Sequence, residues 1–235
     1  MIGWTRKSVW AIALLALAAT GCARHKELEK VNREQASTIR QLNDEIARLS
    51  AELESLGRSR EDLAQAKGDL EKKLKAELAG GDLSISMGSR GLVLTVLNRI
   101  LFDSGKAEIK NTAQGTLDKV AEVLRKHAGD QIIYVEGHTD NQPIRYSGWK
   151  SNWELSTARA TEVIHYLSEN GGVEAGKFIA AGYGEYHPVH PNDSLAHKEK
   201  NRRVEIVISP RKVLGERVEM QSSAGASLAG GSTVE

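Results

Sequence analysis

The chain has a single cysteine, Cys22, in 235 residues, so no internal disulfide is available to it. Proline is nearly as scarce. The four prolines all lie at or beyond Pro143, which leaves the first half of the chain open to long helices. Aromatic residues make up 5% and charged residues 27%, so part of the chain has too little bulk for a thick core. Neither charge dominates. The formal net charge is +1, and the basic excess of a nucleic-acid binder is missing, so no nucleic-acid partner is expected. A long apolar run is also lacking. Residues 9–20, "VWAIALLALAAT", are too short to cross a bilayer comfortably.

That run has a different use. Arg6 and Lys7 precede it as a basic n-region, and it ends at "ATGC". Cys22 is either a small residue near an ordinary signal-cleavage site or the cleavage point itself. With Gly21 before it, the stretch resembles a bacterial lipobox. The resemblance implies that residues 1–21 are a signal peptide and that Cys22 carries diacylglycerol and further acyl chains. One chain anchors marginally, whereas several anchor stably. Ala23, in place of Asp, implies the outer membrane, with the protein facing the periplasm.

Residues 22–80 read as a helical stalk. A heptad places Leu28, Gln35, Leu42, Leu49, Leu56, Leu63 and Leu70 at d, with Asn32, Ile39, Ile46, Leu53, Arg60, Lys67 and Leu74 at a. Ile at a with Leu at d favours a parallel dimer. The competing reading is one amphipathic helix lying on its own domain. Gly57 and Gly68 each weaken a helix by about 1 kcal/mol, which predicts fraying or a bend in the second half.

Gly80, Gly81 and Asp82 end the helical pattern, and residues 81–211 read as a folded domain. Leu83, Ile85 and Met87 alternate as a strand, "GSRG" is a turn, and "LVLTVL" returns as a second strand. A helix capped by Asn111 follows, then "QIIYVEG" as a central strand buried on both faces. Asn152 caps a second helix, which ends at Gly171 or Gly172. "KFIAAGYG" and "RRVEIVIS" supply the last strands, with Val204, Ile206 and Ile208 facing inward. The order β-β-α-β-α-β-β predicts an α+β sandwich with helices on one face of a mixed sheet. Beyond Pro210 the Ser/Gly/Ala-rich residues 212–235 read as a disordered tail.

One stretch suits no core: "VEGHTDNQPIRYSGWKSNWELSTARA", residues 135–160. Asn152, Ser156, Arg159, Val163 and Leu167 share one helical stripe that is apolar at one end and polar at the other. Asp140 leaves the carboxyl end of a central strand, where open sheets hold their ligand crevice. Arg159 reaches back toward a helix N-terminus that favours anions. The pair forms either a salt bridge that fixes the loop or a pocket for a zwitterion.

"GHTD" followed by "NWELSTARATEVIHYL", with "LFDSGKAEI", "AAGYGE" and "NRRVEI" around them, resembles the OmpA-like peptidoglycan-binding family over residues 83–210. The resemblance implies that Asp140 and Arg159 hold the amino and carboxylate groups of meso-diaminopimelate in the stem peptide. It implies that Asn152 lines the same pocket and that Thr139 and Leu155 shape it. The long 141–151 loop is closer to MotB-type members than to compact ones. Those members carry a membrane-spanning helix with an ion-carrying acid, and none is visible here. The expected role is a non-catalytic, cofactor-free tether between outer membrane and wall. The alternatives are a wall-anchoring subunit of a larger complex and a wall hydrolase with His138 as base. "HPVH", with His197 beyond it, offers zinc-type ligands or solvated histidines, and no metal is expected. Arg202 and Arg203 read as contacts to the sheet's acids.

Overall fold

The computed structural model describes residues 6–129, 131–145 and 148–209, with side chains from Arg24 onward. The Cys22 thiol, the side chains of the expected signal peptide and the tail from 212 lie outside the described residues. The chain divides into two compact units, one ending at Leu56 and the other beginning at Gly57.

Helix α1 (Arg6–Lys73) runs through the first unit, and a segment of it belongs to the second. In the first unit Leu28, Ile39, Leu42, Ile46, Leu49, Leu53 and Leu56 are 42–71% exposed, so the a/d seam is open. The ion pairs beside it, such as Arg48–Glu45 at 2.9 Å, are solvated and contribute little.

In the second unit α1 departs from the stalk reading. Leu63, Ala66, Leu70 and Leu74 are buried in the same hydrophobic cluster as Val123 and Leu124. Lys126 and His127 both reach Asp69, at 2.8 and 2.9 Å, and hold its carboxyl down at about 2. Lys73 reaches Glu122 at 2.8 Å. The core therefore begins at Leu63, before the Gly80–Gly81 boundary. The docked face is also rotated from a/d toward d/g, because Ala66 is at g. Arg60 and Lys67, awkward at a coiled-coil seam, then face outward, and Lys67 pairs with Glu71 at 3.2 Å. The expected fraying is not seen. The helix continues through Gly57 and Gly68 to Lys73, and burial of Leu63, Ala66 and Leu70 offsets the cost of Gly68.

A short α2 (Lys75–Ala79) leads to the hairpin of β1 (Leu83–Gly88) and β2 (Gly91–Leu97). Then come α3 (Asn98–Leu101), α4 (Asn111–His127), β3 (Ile132–His138) and α5 (Asn152–His165). A π-helical turn (Tyr166–Asn170) extends α5, and a 3-10 turn (Ala175–Lys177), β4 (Phe178–Gly182), α6 (Leu195–Asn201) and β5 (Arg203–Ser209) follow. The sheet order is β1-β2-β5-β3-β4. Only β3 and β4 are parallel among the paired strands, giving the expected mixed α+β sandwich. Two capping assignments change. Asn111 opens α4 after Lys110 and caps nothing, and Ser151 caps α5 by accepting from Trp153 N at 3.1 Å. Strand β5 is buried along its whole length rather than on alternate residues: Val204, Ile206 and Ile208 enter the core, and on the other face Arg90 and Arg203 engage Glu205.

Glu136 and Glu205 face each other across β3 and β5, a like-charge pair that would oppose pairing. Arg90, from the β1–β2 turn, spans them. It contacts both Glu136 oxygens at 2.6 and 2.8 Å and Glu205 at 3.0 Å. Arg203 donates to the other Glu205 oxygen at 2.7 Å, as expected from the sequence. Burial raises the Glu205 carboxyl, but the Arg203 guanidinium outweighs it and leaves the pKa below the ordinary value.

The docked helix predicts a specific stability difference. Leu70→Ala leaves a cavity in the core and is expected to cost about 2–5 kcal/mol in denaturant unfolding. Leu42→Ala, in the exposed segment, is expected to leave the unfolding of the sheet unchanged. Equal midpoints for Leu70→Ala and the parent chain would show that α1 is not part of this core.

Candidate functional site

Two glycines set the site. A Cβ on Gly137 would collide with the Ser156 carbonyl, and one on Gly182 with the Thr157 side chain. Their absence lets the first turns of α5 lie directly on the ends of β3 and β4. Tyr183 N donates to Gly137 O and Thr139 N to Gly184 O, both at 2.9 Å. Ser156 Oγ accepts from Gly184 N at 3.0 Å. "GHTD", "AAGYGE" and the start of α5 are thereby bound into one unit.

Asp140, Arg159, Asn152, Thr139 and Leu155 all line one cavity of about 1130 Å3 at the carboxyl end of β3, and each is at most 8% exposed. Arg159 lies with its guanidinium 5.2 Å from the Phe102 ring centroid. Its Nε donates to Lys106 O at 2.9 Å and Nη2 to Asp103 O at 3.4 Å. Its hydrogen bonds thus go to carbonyls, not to Asp140, and the loop-fixing salt bridge considered from sequence is not formed. Burial, followed by the Arg202 charge, lowers its pKa to about 10 against the opposing pull of Asp140. It therefore remains cationic at neutral pH.

The partner of Asp140 is Arg202, whose Nη1 donates to Oδ2 at 2.5 Å; Gln142 N donates to Oδ1 at 3.1 Å. Arg202 thus serves the pocket rather than the sheet's acids. The Asn152 amide donates to Asp140 O at 3.3 Å, Gln142 O at 3.1 Å and Glu185 Oε2 at 2.8 Å. It fixes the Asp140 turn and is not a helix cap.

Sequence reasoning missed Arg202, Glu185 and the Phe102–Lys106 floor as parts of the site. Their only signal was that they sit inside the resembling motifs "NRRVEI", "AAGYGE" and "LFDSGKAEI". At the centre of the arrangement lie the buried cation of Arg159, the buried carboxylate of Asp140 and the partly exposed Arg202, with Arg99, Asp103, Lys106 and Arg145 also in the lining. Such an arrangement can complement a ligand bearing both an ammonium and carboxylates.

His138 lies outside this chemistry. Its ring stacks on Tyr183 with centroids 5.0 Å apart, and burial, then Arg203, lowers its pKa to about 3, far too low for a base at neutral pH. Glu136, His138 and Glu205 bring ligand-type atoms within 4.8 Å of one another, but arginines already hold both carboxylates. His187 packs on Tyr183 and His190 stacks on His197, so the "HPVH" histidines enter separate ring pairs.

The OmpA family matches residues 101–202. Motility protein B of Bacillus subtilis is 41% identical over 145 residues, 62% of this chain and 55% of its own length. "Probable lipoprotein YiaD" of Escherichia coli is 33% identical over 140 residues, 60% of this chain and 61% of its own. The chain thus spans less than two thirds of these curated relatives. Among solved structures, the cell wall anchor of the T6SS from Pseudomonas aeruginosa matches with a TM-score of 0.55 and 35% identity. That match covers 60% of this chain and 96% of that one. The sheet order, the pocket at the end of β3 and these matches agree: residues 101–202 are an OmpA family domain.

Proposed function

We propose that the chain anchors a membrane to the cell wall by binding meso-diaminopimelate of the peptidoglycan stem peptide. The observation that carries this reading is the buried Arg159 guanidinium, which bonds only to carbonyls beside the buried Asp140 carboxylate. Arg159 takes the ligand's carboxylate, and Asp140, steadied by Arg202 and Gln142 N, takes its ammonium. The likeness to the Pseudomonas aeruginosa protein, a cell wall anchor, supports the same assignment. No step of bond cleavage is assigned. Incubation with purified sacculi tests this directly, with binding and no released fragments as the expected result. Soluble muropeptides in the supernatant would instead indicate a hydrolase.

The membrane end is assigned to Cys22 as a lipid-bearing residue, with the outer membrane as the destination. The "ATGC" stretch and the likeness to YiaD support it. Among the described residues no helix is long and apolar enough to cross a membrane. Cys22→Ser is expected to shift the protein out of the membrane fraction or to leave it as an uncleaved precursor. Correctly cleaved mutant protein that stays with the membrane would refute lipidation. The similarity to Motility protein B favours a second reading, a wall-anchoring subunit of a larger envelope complex. Recovery of the protein with inner rather than outer membranes would select that reading.

A further inference from the structure

A second groove of about 920 Å3 runs beside the pocket, between the outer face of α5 and the turn at Gly105–Glu108. Two indoles line it. Trp149 comes from the 141–151 loop, and its Nε1 donates to Gly105 O at 2.9 Å. With its polar atom engaged, that ring is held as a fixed apolar wall. Trp153, on the first turn of α5, is 46% exposed and stacked on Tyr186 with centroids 5.0 Å apart. Large exposed aromatics on a stiff frame mark a binding surface. Around them the lining is mixed, with Ala107 and Ala158 beside Lys106, Glu154, Thr157 and Glu162.

We infer that this groove is a saccharide subsite, binding the N-acetylated hexosamine backbone of the same wall polymer whose stem peptide enters the Asp140–Arg159 pocket. The inference rests on the stem-peptide reading above and extends it. A pyranose in a β-linked chain has apolar C–H faces and a rim of hydroxyl and acetamido groups. The faces match indoles and the rim matches carboxylates and threonine hydroxyls. The two cavities also adjoin, because Gly105 and Lys106 line both, and the Lys106 carbonyl holds Arg159. The diamino acid is the third residue out from the glycan, and three extended residues span about 10 Å. A peptide seated at Arg159 therefore brings its sugar to a neighbouring surface. The 141–151 loop supplies one wall of that surface through Trp149.

Titration calorimetry of the full chain in detergent tests this with two soluble probes. One is the tripeptide L-Ala-D-Glu-meso-diaminopimelate, and the other is that tripeptide on its N-acetylglucosaminyl-N-acetylmuramyl disaccharide. The unmodified chain is expected to prefer the disaccharide form by about tenfold. Trp153→Ala is expected to remove the preference while leaving tripeptide affinity unchanged, and Trp153→Phe is expected to keep it. Trp149→Ala should act like Trp153→Ala, with tripeptide affinity reporting whether the loop survives. If the unmodified chain binds both probes equally, or Trp153→Ala keeps the preference, the saccharide subsite is overturned and the stem-peptide reading stands. If the unmodified chain binds neither probe, both readings fall.

Discussion

Asp140→Ala and Arg159→Ala are each expected to release the protein from diaminopimelate-type sacculi, with affinity falling tenfold or more. Each substitution leaves one ligand charge facing a desolvated site with no partner. A charge-assisted hydrogen bond contributes about 1.5–3 kcal/mol, and 1.4 kcal/mol corresponds to about tenfold. The two variants differ in what remains. Without Asp140, Arg202 loses its carboxylate and the guanidiniums lining the pocket lose their buried counter-charge, so ammonium binding is opposed as well as unassisted. Without Arg159, the Lys106 and Asp103 carbonyls lose a donor and the floor of the pocket loosens. Arg159→Lys keeps the charge but not the planar fork, and it is expected to recover only part of the binding. Wall built with lysine lacks the side-chain carboxylate of diaminopimelate and should bind the parent chain less well. Pull-down of folded variants with sacculi decides the matter, and parent-like binding by both alanine variants would show that the pocket is wrongly assigned.

The legibility of this fold followed the range of the interactions. Strand β3, helix α5 and the residues Asp140, Asn152 and Arg159 sit in one continuous stretch whose pattern is local, so the sequence located them. Arg202 and Glu185 reach the same pocket from 62 and 33 residues away, and only folding brings them there. The capping reading of Asn152 fails for a related reason, while its place in the pocket is as expected. Asparagine is a good cap, but Ser151 one residue earlier takes that position and frees the amide to hold three partners across the site. The stalk is the instructive failure. Leucines at Leu63 and Leu70 satisfy a heptad, but the same spacing fits a helix docked on its own core. The charges at Arg60 and Lys67 were the signal that the buried face had rotated. The docking alternative holds from Leu63 onward, while up to Leu56 the a/d seam is open, as a paired stalk would require of each copy.

That division changes what the seam should do. Residues 24–56 are expected to pair two copies of the chain in parallel, and Leu42→Asp with Leu49→Asp is expected to abolish the pairing without unfolding the sheet. Unpaired, the segment leaves seven aliphatic side chains 42–71% exposed on a helix whose solvated ion pairs contribute little. Pairing buries the row, with Ile39 and Ile46 at a and Leu42 and Leu49 at d, the combination that favours two parallel strands. Each Leu→Asp change forfeits roughly 2 kcal/mol of burial. It also sets a carboxylate against its own copy. Four such sites in a dimer amount to about 8 kcal/mol, nearly six orders of magnitude in the dimer constant. Deletion of residues 24–56 is expected to give the same monomer with its sheet intact. Deletion through residue 80 also strips Leu63, Leu70 and Leu74 from the core and is expected to destabilise the domain. Sedimentation of soluble protein beginning at Ala23 distinguishes the outcomes: a monomer at tens of micromolar would reject the paired stalk and leave the exposed row to a different partner or to the membrane surface.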